Sequence, residues 1–320
     1  MEAYPIQEAV FSTFDIARLA EPLSEVCGYE WWPLDDAPPE QFAAWRVSEG
    51  CERIEQALMV PPGSEGGRGA IRLVRFHGCD QQVMRSSQRT WDTGGIFDVD
   101  MFSADVDRIY RGLQRFGWTA FGEPVDYSEA HFSVRQVVAI GPEGLVLAII
   151  QRYSPEVPGL SPDGKLSPVF NSTQMVADFD GAMAFYREIL GWDERLDFTV
   201  ENVAEPGADV LGLPMPQAIA APRRIAMVNP PGSPEGGVEL IHNAAMSGRR
   251  CDDACVAPNA GILSLRFEVD DARRYAGEIA ARGGGLYAEP IDLEIAPYGA
   301  ATVFAVRSPE GAIIEFYSRR

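Results

Sequence analysis

The residue types that most often carry chemistry are sparse in this sequence, and their spacing excludes several mechanisms. Its three histidines are His77, His131 and His242. Cys251 and Cys255 form a Cys-x-x-x-Cys pair beside Asp252 and Asp253, but no second pair or flanking histidine completes a zinc site. Lys165 is the sole lysine among 27 basic residues and lies in a Pro/Gly-rich stretch, a poor setting for a Schiff-base or phosphate-loop lysine. No Gly-x-Ser-x-Gly elbow marks a nucleophilic serine. Polar side chains do converge by strand alternation. In Leu263–Val269 the odd positions are apolar, which leaves Ser264, Arg266 and Glu268 on the opposite, concave face. Near the C-terminus, Glu315 falls on one face with Ile313 and Tyr317. Charges gathered on one sheet face must be paired, metal-bound or wet. His131, near a strand start, is placed to reach a first-half pocket as acid or base. His242 stands three residues beyond Glu239, so the two point to opposite faces.

Two long stretches of the chain repeat each other, and the repeat supplies the elements that hold these residues. Asp15 to Tyr29 echoes Asp178 to Trp192: an N-cap aspartate, an amphipathic helix and a glycine stop. Met59-Val60-Pro61-Pro62-Gly63-Ser64 matches Met227-Val228-Asn229-Pro230-Pro231-Gly232-Ser233, and each leads into a strand, Ile71–Phe76 or Val238–His242. Alternating strands at Phe97–Phe102 and Leu263–Val269 are followed by helices over 105–115 and 271–282. Pro142-Glu143-Gly144 matches Pro309-Glu310-Gly311, each before an apolar strand. The expectation is an α+β chain of four βαβββ modules. Modules one and two form a domain over 1–153, residues 154–168 are a linker, and modules three and four form a domain over 169–320.

The net charge of -20 disfavours a nucleic-acid or anionic-membrane partner and suits neutral or cationic small molecules. Five cysteines at uneven spacings, no apolar run of membrane length and no signal-peptide pattern predict a cytoplasmic protein.

The stretch Val176-Ala177-Asp178-Phe179-Asp180 leading to Ala184–Trp192, with the terminal Ser308–Phe316, resembles the vicinal oxygen chelate superfamily. Glyoxalase I, extradiol dioxygenases and bleomycin-resistance proteins belong to it. The resemblance implies modules paired into two half-barrel domains, each curled around a site. Ligands in that family come from a module's first strand and from the glutamate of its last. Carried over, the second half offers Asn171, Glu239, Ser264 and Glu315, and the first half Glu8, Arg72, Asp98 and Ala148. No histidine falls on a first-strand position, so a histidine-ligated iron dioxygenase is not expected. A divalent cation held by Asn171, Glu239 and Glu315 is the implied cofactor. Arg72 where a metal glutamate should stand suggests a structural ion pair with Glu8 or Asp98.

The function expected from these positions is proton transfer in a small oxygenated molecule, as an isomerase or lyase, with Glu315 or Glu239 as base. Asn171, Ser264, Arg266, Glu268, Tyr317 and His131 would bind the substrate, and Arg266 with Asn171, or the cation, would stabilise an enolate. The alternative is sequestration of a small molecule without turnover, as in bleomycin-resistance proteins. A third possibility is a first half that serves only to cover or dimerise the second, which allows a homodimer.

Overall fold

The same device opens the helix of each module. Asp15, Asp105, Asp178 and Asp271 are N-caps whose carboxylates accept from the backbone N–H of Ala17, Arg108, Gly181 and Arg274. Gly28 and Gly191 end the helical segments of modules one and three at φ of 80° and 75°, the left-handed region that glycine enters without a Cβ clash. The computed structural model describes residues 3–320 apart from 48, 65–66, 130–131, 162, 201–208, 215–220 and 235.

Module one comprises β1 (Ala3–Ser12), α1 (Ile16–Glu25), β2 (Glu30–Pro33), α2 (Pro39–Ala44), β3 (Arg53–Val60) and β4 (Ala70–His77). Module two comprises β5 (Asp98–Phe102), α3 (Val106–Gln114), β6 (Thr119–Ala120), β7 (Val125–Glu129), β8 (Phe132–Ile140) and β9 (Val146–Ser154). Module three comprises β10 (Asn171–Met175), α4 (Phe179–Ala184), β11 (Asp193–Val200), β12 (Arg223–Asn229) and β13 (Gly237–Asn243). Module four comprises β14 (Gly261–Val269), α5 (Ala272–Ala281), β15 (Leu286–Ile295), β16 (Gly299–Arg307) and β17 (Ile313–Arg319).

The modules pair into two curved sheets, but not in the order the repeat suggested. One sheet runs β15-β16-β17-β14-β1-β4-β3-β2, and the other β11-β12-β13-β10-β5-β9-β8-β6. Module one therefore shares a sheet with module four, and module two with module three. This corrects the expected pairing of modules one with two and three with four. The seams show a physical reason. In the antiparallel β1–β14 seam Glu8 lies opposite Arg266, and in the β5–β10 seam Asp100 lies opposite Asn171. A β1–β5 seam would have set Glu8 among the aspartates of β5, and like charges across a seam destabilise it.

The two modules of each sequence half still touch, through their helices. A side chain at Gly112 of α3 would stand 2.4 Å from Val26 Cγ1, just after α1. Tyr275 of α5 donates to the Leu190 carbonyl at 2.8 Å. The Pro-Glu-Gly motifs act here too. Glu143 accepts from the Phe14 N–H at 3.3 Å, and Glu310 from Ala177 and Asp178 at 3.1 and 2.9 Å. Each glutamate thus clamps the helix start of the neighbouring module. One apolar cluster draws on all four modules, including Phe11, Met101, Phe179 and Phe267, so the sheets share a core instead of burying one each.

Leu265, Phe267 and Val269 pack in that core as alternation predicts. Leu263 joins a different cluster beside Trp45, because the β1–β14 register shifts between Val10 and Phe11. Cys51 and Cys79 form a disulfide at the base of the β3–β4 hairpin, a pairing that the uneven cysteine spacing does not suggest; Cys27, Cys251 and Cys255 are free and buried. Among the described residues no helix is long and apolar enough to cross a membrane.

Candidate functional site

Each sheet brings four first-strand and last-strand positions together on its concave side. In the sheet of modules one and four these are Glu8, Arg72, Ser264 and Glu315, all at most 1% exposed. Arg72 grips Glu8 through Nε at 2.8 Å and Nη2 at 2.6 Å, and its Nη1 donates to Gln56 at 2.7 Å. Arg266 bridges the two glutamates, donating to Glu8 at 2.8 Å and to Glu315 at 2.9 Å. Glu315 also accepts from the Trp45 indole N–H at 2.8 Å and from the Ser264 hydroxyl. Burial alone would raise the Glu8 carboxyl, but Arg72 and Arg266 outweigh it and hold the group below its ordinary value. The cluster contains two guanidiniums and two carboxylates. Trp45, carried in just after α2, closes over them. This is a buried ion network.

The sheet of modules two and three is built differently. Asp98 and Asp100 point to one face of β5 and accept from the Thr173 backbone N–H at 3.1 Å and from Asn171 Nδ2 at 2.8 Å. Glu239 on β13 accepts from the Thr173 hydroxyl at 3.2 Å. Burial pushes Asp98 up to about 7; hydrogen bonds from Thr173 oppose this and the Glu239 charge adds to it. Asp100 is held well above the ordinary carboxylate range by burial and then by the Asp98 charge. The pair therefore shares a proton near neutral pH. Asn171 is 3% exposed, and its Oδ1 has no hydrogen-bond partner. Asp100, Asn171 and Glu239 face a cavity of about 600 Å³ walled by apolar side chains such as Phe170, Phe198, Ile225 and Met227. That volume is in the usual range for small-molecule sites.

The structure thus divides the residues expected at one site. Glu239 and Asn171 lie at the cavity of modules two and three. Glu315, Ser264 and Arg266 lie in the buried network of modules one and four. Glu239 and Glu315 are on different sheets and cannot act as one carboxylate pair. Glu268 pairs with Arg319 at 2.9 Å and accepts from Tyr317 at 3.2 Å on the sheet of Glu315, so neither lines the cavity. His131 lies outside the described residues. His242 Nδ1 is 3.0 Å from the Val176 carbonyl. Arg72 pairs with Glu8 and not with Asp98, which is on the other sheet. Sequence reasoning missed Trp45, Thr173 and Asp100. The alternation Asp98-Val99-Asp100 already put two carboxylates on one strand face, and that signal was available for Asp100.

Two comparisons place this architecture. Glyoxalase I from Zea mays superposes with a TM-score of 0.62 at 16% identity, covering 98% of this chain and 92% of that one. A Bacillus subtilis protein assigned as a dioxygenase superposes with a TM-score of 0.57 at 13% identity, covering 99% and 86%. At such identities the likeness is one of fold. Residues 170–316 match the profile of the Glyoxalase/Bleomycin resistance protein/Dioxygenase superfamily. That match spans the second half of the chain, and the superpositions carry the likeness of fold over the whole of it. No curated protein matches the sequence.

The divalent metal implied by the resemblance can be tested on its donors. Glu315 is not at the cavity, so the set Asn171, Glu239 and Glu315 does not assemble. The four corresponding positions at the cavity are Asp98, Ala148, Asn171 and Glu239; Ala148 has no donor, and Asp98 is engaged with Asp100 and Thr173. Among the described residues no three His, Cys, Asp or Glu side chains are grouped to hold an ion. The residues present do not fit a divalent metal.

Proposed function

We propose that this chain binds a small, largely apolar molecule carrying an oxygenated group in the cavity of modules two and three, and moves a proton within it. The reading rests on one observation: Glu239, Asn171 and Asp100 line a largely apolar cavity, and Asp100 forms a raised pair with Asp98 behind it. Glu239, half-buried and hydrogen-bonded to Thr173, is the base that takes a proton from the substrate. The Asp98/Asp100 pair is the acid that returns one, because two carboxyls driven up by burial and mutual repulsion keep a proton near neutrality. Isomerase or lyase chemistry follows if the returned proton reaches a different atom of the substrate. Deuterium incorporation from D2O into a panel of hydroxycarbonyl compounds, followed by NMR, tests this. Glu239→Gln should stop the exchange while circular dichroism stays unchanged; exchange that persists in this variant would rule out Glu239 as the base.

A second reading is binding without turnover. Arg266, expected to stabilise an enolate, belongs to the other sheet, which favours this reading. Tight stoichiometric binding with no deuterium exchange by the wild type would select it.

A further inference from the structure

We propose that the Thr173 hydroxyl is the proton link between Glu239 and the Asp98/Asp100 pair. The inference rests on Glu239 being the base of the cavity and the pair its acid. The register of three neighbouring strands makes the link. Thr173 on β10 lies opposite Asp98 on β5 and beside Glu239 on β13. Paired residues on adjacent strands point to one face, so the three side chains form a row across the sheet. The hydroxyl donates to Glu239 Oε2 at 3.2 Å, and the backbone N–H donates to Asp98 Oδ1 at 3.1 Å. The hydroxyl is also hydrogen-bonded to Asp98, which in turn is hydrogen-bonded to Asp100. Glu239 and Asp100 line the cavity, while Thr173 and Asp98 are 3% and 2% exposed. The row therefore joins two groups that meet a ligand through two that water barely touches.

A hydroxyl suits this position because it donates one proton and accepts through its oxygen. With Glu239 ionised, the hydroxyl donates to it, as found here. With Glu239 protonated, the hydroxyl accepts from Glu239 and turns its own proton to Asp98. The other sheet shows that the strand itself does not require the hydroxyl. There Val10 holds the same place, opposite Ser264 and beside Arg72. Valine has the branched shape of threonine without its donor, and the ion network does without it. In a lyase step on a hydroxyketone, Glu239 takes a proton from the carbon beside the carbonyl. The carbon–oxygen bond to the hydroxyl breaks, and Asp100 protonates the departing oxygen. Water and an enone leave, Glu239 has gained one proton and the pair has lost one. Transfer from Glu239 through Thr173 to Asp98 restores both groups for the next turnover.

The test uses the full chain and one probe, the aldol of benzaldehyde and acetone. NMR in D2O follows exchange of the methylene hydrogens beside its carbonyl, and ultraviolet absorbance follows dehydration to benzalacetone. Thr173→Val should lower kcat for dehydration at least about thirtyfold, with KM within about threefold of wild type. Exchange should stay within about threefold, because half-buried Glu239 sheds its proton to water. Thr173→Ser should recover dehydration to within about threefold of wild type. Thr173→Ala, a second variant without the hydroxyl, should repeat the split seen in Thr173→Val. Dehydration at the wild-type rate in both hydroxyl-free variants overturns the link. So does Thr173→Ser as slow as Thr173→Val, or exchange lost together with dehydration, since Thr173 then only holds Glu239 in place. Exchange without dehydration by the wild type removes the acid, and the link with it. Exchange that persists in Glu239→Gln, or a wild type that neither exchanges nor dehydrates the probe, overturns the function reading itself.

Discussion

The two sheets of this molecule have the same strand order and offer the same four positions, yet one is filled and the other is open. Glu8, Arg72, Ser264 and Glu315 occupy those positions in the first, and Asp98, Ala148, Asn171 and Glu239 in the second. Arginine at one last-strand position, with Arg266 two residues beyond Ser264, balances the glutamates and lets Trp45 close over them. Where alanine stands instead, burial raises Asp98 and Asp100, and Asp100 lines a cavity with Asn171 and Glu239. The concave side of this fold becomes structure or site according to a few side chains and the one insertion that brings in Trp45.

The comparison breaks first at Glu315. Glu315→Gln leaves Arg266 and Arg72 to share the single carboxylate of Glu8 in a dry environment, which should cost about 3–5 kcal/mol in urea unfolding. Glu239→Gln, at the half-buried cavity floor, should stay within about 1 kcal/mol of wild type. A Glu315→Gln protein as stable as wild type would mean that the first sheet is not held by its ions. Trp45→Phe keeps the ring and removes the N–H that Glu315 accepts; a loss of about 1–3 kcal/mol is expected.

The smallest effect, and the one that sharpens the contrast most, is the sign of the pH dependence. Asp98 is raised to about 7, so the folded chain holds a proton that the unfolded chain releases above about 4. Its contribution is full below that lower value and is lost as pH rises through about 7. Glu8 is lowered, so its contribution is present above the ordinary glutamate value and is lost as the solution becomes more acid. Asp98→Asn should flatten the stability slope between pH 4 and 7 and leave the acid limb unchanged. A slope that survives this substitution assigns the proton to another group.

The sequence made the modules legible because each carries its own local chemistry: Asp15, Asp105, Asp178 and Asp271 as caps, glycine stops, and the Pro-Glu-Gly turns. These signals act within about thirty residues and fix what a module is. They say nothing of which module lies beside which, since that depends on side chains facing one another across a seam. Glu8 and Arg266 are 258 residues apart, and no local rule joins them. The same gap explains the site. The resemblance carries over Asn171 from a first strand and Glu239 from a last strand of module three. Glu315 was joined to them because a duplicated chain invites pairing of consecutive modules. Trp45 lies in an insertion between β2 and β3 that has no counterpart in the repeat, so nothing in the pattern pointed to it.

The nested order of the sheets has a consequence for how the chain is made. A ribosome releases module one first and module four last, and these two share a sheet. The sheet of modules two and three can close once β13 has emerged, while the first strand still lacks its partner. Until the final strands arrive, β1 presents an unpaired edge and Glu8 has only Arg72 beside it. Vectorial synthesis therefore finishes the cavity before the ion network, and the nascent chain carries its most buried charges half-assembled until module four has emerged.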